Sequence, residues 1–263
     1  MRVLQRNNRC FLKEQKNHLK RILIALVLSI IVAASTSGIA WLLDPAIKKL
    51  FIEKIREIPK KLKLDNPVII IGKDCPRKDI WRNEYTNNYK GTRKNDNNVG
   101  DFFKLAYNNL FLESGAEKIL FHEKLEADDC IAIATRHYLK DENNKITIIT
   151  SDTDYLQLIE ERVNIYNGKL KPIRNKTNST MDSRKDLFIK VVIGDKSDNI
   201  SGVFEKCGKV KAKKYYDNPE LFKKDMEMAE LFDDIKARYE RNQLLIDFNK
   251  IPSKYQEELL SKI

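Results

Sequence analysis

The chain has 263 residues, of which 42% are hydrophobic and 33% charged, enough for one large domain or a core domain with a smaller one. Its formal net charge of +11 indicates nucleic acid or an anionic membrane surface as a partner, with solubility alone as the alternative. The four cysteines are scattered and form no CxxC pair, which argues against a zinc knuckle and a dense disulfide framework and favours a reducing compartment.

The first notable segment is an uncharged stretch at residues 22–43, which follows seven Lys or Arg residues and a single acid, Glu14. A stretch of this length can cross a bilayer or serve as a signal peptide. It can equally be a buried first strand at residues 21–26 followed by an apolar helix, because a central parallel strand is hydrophobic on both faces. The segment alone leaves both interpretations open.

A helical period follows Asp44, with apolar residues on one face from Ile47 to Ile58 and a predicted end at Pro59. Residues 67–71 are predicted to form a second buried strand. Residues 73–100 are polar and rich in Lys, Arg and Asn, with aromatic residues interleaved. Such a segment is either an exposed loop or a basic, aromatic nucleic-acid surface.

The remaining pattern alternates strands and helices. Strands are predicted at residues 118–122, 145–150 and 162–166, and helices at 126–140, 154–161 and 182–193, with a helical tail from about 218 that is broken at Pro252. This alternation predicts an α/β fold with a central, mostly parallel sheet flanked by helices. A boundary near residue 180 would separate the sheet domain from a helical part.

Acidic clusters interrupt this basic chain where apolar runs end. They are Glu126, Asp128 and Asp129, then Asp152 and Asp154, then Asp195 and Asp198. Alone, each cluster is readily explained by helix capping or a solvated surface. Together, at the carboxyl ends of neighbouring strands, they form a crowd of like charges that should raise one another's pKa.

Divalent cations would relieve that repulsion. Carboxylate oxygens with few histidines suit Mg²⁺ or Mn²⁺ rather than zinc. Two such ions beside a polyanion are what a metal-dependent nuclease needs, since one activates water and the other stabilises the leaving oxygen.

Three ordered strings also carry a family resemblance: EADD at 126–129, TSDTDYLQL at 150–158 and GDKSDNISGV at 194–203. They resemble the 5′-nuclease family, which includes flap endonucleases and the 5′-nuclease domains of bacterial DNA polymerases. The similarity runs from about residue 44 to the C-terminus, includes residues 242–252, and is strongest to the ribonuclease H branch of T-even bacteriophages.

The resemblance implies a set of metal ligands for two Mg²⁺ or Mn²⁺ ions: Asp74, Glu126, Asp128, Asp129, Asp152, Asp154, Asp195 and Asp198. Residues 82–93 resemble the basic start of the family's helical arch. By that resemblance, Arg82, Lys90 and Arg93 are expected to act in catalysis, with Lys90 and Arg93 on the scissile phosphate.

Residues 194–214 resemble the family's helix-turn-helix element, which grips duplex backbone and often holds K⁺. The expected DNA-binding residues are Tyr89, Gly202, Gly208, Lys209, Lys211 and Lys213. The glycine pattern before Gly208 departs from that of the family, and this departure falls in the element that holds K⁺ in the family.

The chain also departs from the family at its first ligand. No acid occurs between Glu14 and Asp44, and Ala25 stands where the family has an Asp at the end of its first strand. Because that strand is central in the family's sheet, the resemblance favours a buried strand at residues 22–26 over a membrane segment.

We therefore predict a PIN-like 5′-nuclease core with a basic extension at 1–21, an α/β domain at 22–180 with an arch region at 75–100, and a helical DNA-binding part at 181–263. The implied activity is 5′ to 3′ hydrolysis of RNA–DNA hybrid primers or flapped DNA in replication. A monomer in the cytoplasm, working beside a single-stranded DNA-binding protein, is the implied setting. The alternatives are a binder whose chemistry is lost at Ala25 and a membrane-anchored or exported protein.

Overall fold

The structure is a computed structural model that describes the backbone of residues 21–25 and residues 44–92, 100–175, 179–229 and 232–263 in full. Arg93 and most of the apolar segment at 22–43 lie outside these residues. The strands are β1 (Arg21–Ala25), β2 (Val68–Gly72), β3 (Lys118–Leu120), β4 (Lys145–Ile149) and β5 (Val163–Tyr166). They form one parallel sheet in the order β3-β2-β1-β4-β5.

Helices cover both faces of this sheet and continue beyond it. They are α1 (Pro45–Lys61), α2 (Gly100–Leu105), α3 (Phe111–Glu113), α4 (Ala127–Tyr138), α5 (Ser183–Ile193), α6 (Lys209–Asp217), α7 (Pro219–Glu227), α8 (Phe232–Ile246) and α9 (Ser253–Leu260). A π-helical turn, Ala106–Leu110, joins α2 to α3, and 3₁₀ turns occur at Arg77–Asp79, Trp81–Glu84, Thr153–Leu158 and Phe248–Lys250.

The alternation of side chains along β2 explains why both faces of the sheet are covered. Ile70 packs into the core under α4, whereas Ile69 and Ile71 pack into the core with α1, α2 and α3. All three are buried, which is the pattern of a strand inside a parallel sheet. The predicted fold class is therefore confirmed.

Several predicted boundaries differ from the structure. Helix α1 does not end at Pro59 but continues to Lys61 with the proline inside its last turn. A proline in this position removes only one intrahelical hydrogen bond, and Leu62 N–H still donates to the carbonyl of Ile58 at 3.0 Å. The predicted helix at 154–161 is a 3₁₀ turn, Thr153–Leu158. The helical segment from Gly100 to Glu113 was not predicted.

The N-terminal strand takes the position that the second interpretation required. β1 lies in the middle of the sheet, where Ala25 pairs with Ile71 on one side and Ile149 on the other. The rest of the apolar segment lies outside the described residues. Among the helices that the structure does describe, none combines the length and apolarity that crossing a membrane requires.

Side chains of the α/β core hold the C-terminal helices against the sheet. Arg82 Nε donates to the carbonyl of Leu245 at 2.8 Å, and Arg136 Nη1 donates to that of Phe248 at 2.9 Å. Gln157 donates to the carbonyl of Ile246 at 2.9 Å and accepts from Phe248 N–H at 3.1 Å. The chain segment after α8 is thereby fixed beside the carboxyl edge of the sheet. The domain boundary at residue 180 stays a prediction.

Candidate metal centre

Six of the eight predicted ligands come together in two groups at the carboxyl edge of the sheet. The first carboxylate group is Glu126, Asp128 and Asp129, and the second is Asp154, Asp195 and Asp198; within each, ligand oxygens lie within 4.8 Å of one another. Asp74 and Asp152 belong to neither group and are exposed. Asp74 nevertheless lies beside the first group, because its Oδ1 accepts from Ala127 N–H at 2.8 Å.

The first group is placed by the close approach of α4 to β2. A Cβ at Gly72 would lie 2.7 Å from the carbonyl oxygen of Ala127, so only glycine allows this approach. Glu126 and Asp129 form a capping box at the start of α4, in which Glu126 N–H donates to Asp129 Oδ2 at 3.2 Å. The helix start therefore projects three carboxylates toward one place.

A buried arginine offsets part of the negative charge of the first group. Arg82 donates from Nη1 and Nη2 to the two oxygens of Asp129, at 2.7 Å each, and from Nη1 to Glu126 Oε2 at 2.9 Å. Trp81 Nε1 donates to Asp129 Oδ2 at 2.9 Å. Burial alone lowers the pKa of Arg82, but the charges of Asp129 and Glu126 hold that pKa well above its ordinary value.

This environment changes the roles predicted for two residues. The Arg82 side chain is 2% exposed and its donors are taken by Asp129, Glu126 and the Leu245 carbonyl, so it has no face for a phosphate. The catalytic contact predicted for Arg82 therefore does not fit its position, where the guanidinium faces two carboxylates and a backbone carbonyl. Asp129 is fully buried and both its oxygens accept from Arg82, so it is poorly placed to bind metal.

Asp128 is the carboxylate of the first group that stays outside this ion pair. Among the described residues, its Oδ1 accepts from the N–H of Asp129 at 2.8 Å. Burial and the neighbouring charges of Glu126 and Asp129 raise the pKa of Asp128 well above its ordinary value. A cation at this point would reverse that effect, as expected for a crowd of like charges.

The dipeptide Tyr89-Lys90 joins the two groups. The Tyr89 hydroxyl lies 2.9 Å from Glu126 Oε2 and 3.1 Å from Asp198 Oδ2. Lys90 Nζ pairs with Glu126 and lies 3.8 Å from Asp198 Oδ2. The positive φ of Lys90, 53°, and its N–H bond to the Asp198 carbonyl at 3.0 Å fix this geometry.

Tyr89 is buried, with its ring in the core formed with Val191, Ile200 and Leu245. Burial raises the pKa of Tyr89 well above its ordinary value, and the hydroxyl stays protonated as a donor. A ring enclosed in this way cannot stack on a base, so the DNA contact predicted for Tyr89 does not fit the structure.

The second group is built by a tight turn after α5. Gly194 has φ 74°, and a Cβ there would lie 2.4 Å from the carbonyl oxygen of Ile200. This turn directs Asp195 back toward α5, where its Oδ2 lies 2.8 Å from Lys190 Nζ. Asp154 pairs with the same ammonium group. Burial alone raises the pKa of Asp195, but Lys190 and hydrogen bonds from Ser197 lower it to about 2.

Lys190 is the site residue that the sequence analysis missed. Its signal was its place on the predicted helix 182–193, one turn before Gly194 and Asp195. A lysine there is ordinarily read as solvated surface, and only the turn at Gly194 brings Asp195 to it.

The predicted DNA-binding lysines separate in space. Lys209 and Lys213 line a cavity of about 560 Å³ that also includes Asp154, Asp195 and Lys190. Lys211 instead lies 3.5 Å from Asp225 Oδ2 and over the rings of Phe204 and Tyr215.

The two glycines predicted to bind DNA have different surroundings. Gly208 has extended backbone at the start of α6, whose first N–H groups have no side-chain cap. Gly202 packs against the end of α5, since its Cβ position lies 2.9 Å from the Ile193 carbonyl oxygen.

Comparisons with known proteins identify the family to which this chain is similar. The family model described as "5′-3′ exonuclease, N-terminal resolvase-like domain" matches residues 46–190. A 5′-3′ exonuclease of Mycoplasmopsis pulmonis (strain UAB CTIP) is 32% identical over 163 residues, which is 59% of this chain and 52% of that protein. One of Buchnera aphidicola subsp. Acyrthosiphon pisum (strain APS) is 32% identical over 157 residues, covering 57% of this chain and 52% of that protein. The chain thus spans about half the length of these curated relatives.

Solved structures share the fold over most of the chain. The bacteriophage T5 5′-exonuclease with bound divalent zinc ions has a TM-score of 0.65 at 16% identity, covering 92% of this chain and 99% of that one. The T5 D15 flap endonuclease in a pseudo-enzyme-product complex with DNA and metal ions has a TM-score of 0.64 at 14% identity, covering 92% and 98%. At this identity the likeness establishes the fold.

Proposed function

The chain belongs to the family of 5′-3′ exonucleases with an N-terminal resolvase-like domain, and on that premise we propose that it is a divalent-metal-dependent nuclease. Its substrates would be nucleic acids with a 5′ end or flap, cut at the phosphodiester bond. The observation that carries this proposal is the pair of carboxylate groups joined by Tyr89-Lys90 at the carboxyl edge of the sheet. This edge is where α/β folds place their reactive sites.

The residues fit a hard divalent cation. Both groups supply only carboxylate oxygens, the donor type that Mg²⁺ and Mn²⁺ prefer. Asp128, Asp154, Asp195 and Asp198 would be the principal ligands, with Glu126 as a further ligand from the first group. When bound, the ions would lower the pKa of a water and neutralise charge on the leaving oxygen.

The protein's own groups would then hold the phosphate and the ligands in place. Lys90 would stabilise charge on the scissile phosphate, since its side chain is 13% exposed and lies between the groups. Arg82 and Asp129 would position Glu126 without touching substrate. Arg93 lies outside the described residues, and its role in catalysis stays a prediction.

Helix α6 would bind the nucleic acid backbone beside this site. Lys209 and Lys213 are exposed and line the cavity that reaches Asp154 and Asp195, so phosphates held there would lie beside the second carboxylate group. The finer predictions belong to the same proposal: a preference for RNA–DNA hybrid primers or flapped DNA, K⁺ near residues 194–214, a single-stranded DNA-binding protein as partner, a monomeric state and a cytoplasmic location.

One observation favours a second candidate, a nucleic-acid binder with impaired chemistry. Ala25 ends the central strand, beside Ile71 and Ile149, at the same sheet edge as the carboxylate groups. A strand end in this position is suited to present a ligand, and alanine offers none. The loss of one carboxylate would lower the charge available to a bound ion and slow cleavage without preventing nucleic acid binding.

The decisive experiment is cleavage of a 5′-labelled DNA flap and an RNA–DNA hybrid in Mg²⁺ or Mn²⁺, by this chain and by Ala25→Asp. We expect cleavage that a chelator stops and that Ala25→Asp increases. If only Ala25→Asp cuts, the second candidate is correct. Ala25→Asn is the matched control, because it adds similar bulk without a charge.

Binding to the same substrates is measured in parallel without metal. A chain and variant that neither cut nor bind either substrate would contradict both candidates. Binding without cleavage by any variant would contradict the nuclease proposal alone.

A further inference from the structure

A single lysine occupies the position between two carboxylates of the second group. Lys190 Nζ pairs with Asp154 and lies 2.8 Å from Asp195 Oδ2. Asp154 follows β4 whereas Asp195 follows α5, so the ammonium group joins two separate elements. It thus takes the place that a cation shared by these carboxylates would need.

The ion pair is accessible enough to be exchanged. The side chains of Lys190, Asp154 and Asp195 are 21%, 16% and 17% exposed. All three line the cavity of about 560 Å³, which gives the lysine side chain room to move without unfolding its helix. Arg82 in the first group has neither property, since it is 2% exposed and held by three acceptor residues.

A second partner for the lysine lies one helical turn away. Asp186 precedes Lys190 by four residues on α5 and lines the same cavity. An acid four residues before a lysine on a helix forms a favourable ion pair. Asp186 already accepts from Ser179 Oγ at 2.6 Å and Thr180 N–H at 2.7 Å, which fixes its carboxylate in the cavity wall.

The other charges around the cavity favour the same movement. Lys196, Lys209 and Lys213 line it as well, and they would repel an ammonium group that moved toward them. Asp186 is the acid in the lining that lies outside the second carboxylate group. A displaced Lys190 therefore has one attractive destination among the residues that line the cavity.

We propose that Lys190 is an internal counter-ion with two positions, one on Asp154 and Asp195 and one on Asp186, and that a divalent ion binds the second carboxylate group by displacing it. This proposal rests on the proposed metal site and concerns its regulation. The lysine offsets part of the negative charge of the metal-free group and sets the metal concentration at which an ion binds there. No covalent step is involved.

The test is Mn²⁺ binding to the full chain without nucleic acid, measured by the electron paramagnetic resonance signal of free Mn²⁺ and by calorimetry. Lys190→Met keeps the length of the side chain and removes its charge, and we expect it to tighten Mn²⁺ binding about five-fold. Asp186→Asn removes the second position, and we expect about two-fold weaker binding. In the Lys190→Met background, Asp186→Asn should have no effect, because no lysine remains to be displaced.

Lys196→Met is the matched control, since it removes the same charge from an exposed neighbour of Asp195. Equal tightening by Lys196→Met and Lys190→Met would overturn the proposal, because a general field would explain both. Unchanged or weaker binding by Lys190→Met would overturn it as well. If Lys190→Met does not fold, Lys190→Arg decides: a guanidinium holds both carboxylates more firmly and should weaken Mn²⁺ binding several-fold.

The outcome is separable from that of the proposed function. Tighter Mn²⁺ binding by Lys190→Met without cleavage of any substrate would support the counter-ion and count against the nuclease. Cleavage by the chain, together with unchanged Mn²⁺ binding in Lys190→Met, would support the nuclease and count against the counter-ion.

Discussion

The two carboxylate groups contain the same kind of side chain but are neutralised in different ways. The first is held by a buried guanidinium, with Arg82, Glu126 and Asp129 between 0% and 4% exposed. The second is held by the partly exposed ammonium of Lys190 beside a cavity. Lys90 lies between them and pairs with both.

This difference teaches that charge alone does not identify a ligand. A guanidinium with fixed bidentate geometry orients carboxylates. Displacing it from a buried position costs free energy, because the carboxylates would lose their counter-charge. An ammonium on a flexible stem at the edge of a cavity can leave. The first group therefore has a structural side, Arg82 with Asp129, and a second side at Asp128, whereas in the second group Asp154 and Asp195 line the cavity.

The largest effect should come from removing the buried arginine. Arg82→Met leaves Asp129 and Glu126 buried without their partner, and we expect it to lower the free energy of unfolding by about 3–5 kcal/mol. Arg82→Lys keeps the charge but loses the paired geometry and the bond to the Leu245 carbonyl, so its loss should be smaller. Urea unfolding followed by circular dichroism measures both.

Lys78→Met is the control, because Lys78 is an exposed residue of the preceding 3₁₀ turn. It should change the free energy of unfolding by no more than about 0.5 kcal/mol. If Arg82→Met lowered the free energy of unfolding as little as this control, the structural role inferred for the arginine would be wrong.

The next largest effects should come from removing one proposed ligand from each group. Asp128→Asn and Asp195→Asn should each lower metal-dependent cleavage about 100-fold, because each removes a ligand charge. Their stabilities at neutral pH without added metal should change in opposite directions. The raised pKa of Asp128 means that its charge is unfavourable in the fold, so Asp128→Asn should stabilise the protein by about 1 kcal/mol. The lowered pKa of Asp195 means that Asp195→Asn should destabilise it by about 1–2 kcal/mol.

The pH dependence of stability follows from the directions of these two pKa shifts. The contribution of Asp195 is present above the ordinary carboxyl pKa and is lost as the pH falls toward about 2. The penalty at Asp128 disappears as the pH falls below its raised pKa. Asp217→Asn, at an exposed pair with Lys185, is the control and should change neither cleavage nor stability appreciably. A loss of stability in both Asp128→Asn and Asp195→Asn would remove the distinction between the groups.

The smallest effect concerns the lysines of α6. Lys209→Met should weaken binding of labelled duplex DNA a few-fold and reduce the salt slope of binding by about 1, as for one lost phosphate contact. Lys211→Met should do less, since Lys211 is engaged by Asp225 and Tyr215. Fluorescence anisotropy in chelator at several salt concentrations measures both. Equal slopes for the two variants would show that the cavity side of α6 has no special part in binding.

Much of the sheet could be predicted because its strands are buried on both faces. Residues 68–71 are a continuous apolar run, residues 146–149 are apolar except for Thr147, and a polar residue soon follows each; these features predict a central strand locally. The segment 100–113 was missed because its helix is interrupted by a π-helical turn at Ala106–Leu110, which breaks the apolar period of an α-helix. Pro59 was misread because a proline near a helix end costs only one hydrogen bond.

The sequence by itself determined the fold class, the family and six of the acids that meet at one sheet edge, because the alternation of strands and helices and the ends of apolar runs are local features. Only the tertiary structure decided which counter-ion each acid has. Arg82 and Lys90 are close in sequence, yet the turn at 85–92 directs the first into the core and the second between the groups. Burial and the identity of each counter-ion depend on contacts between distant segments, such as Arg82 with Leu245 or Lys190 with Asp154, and no local pattern records them.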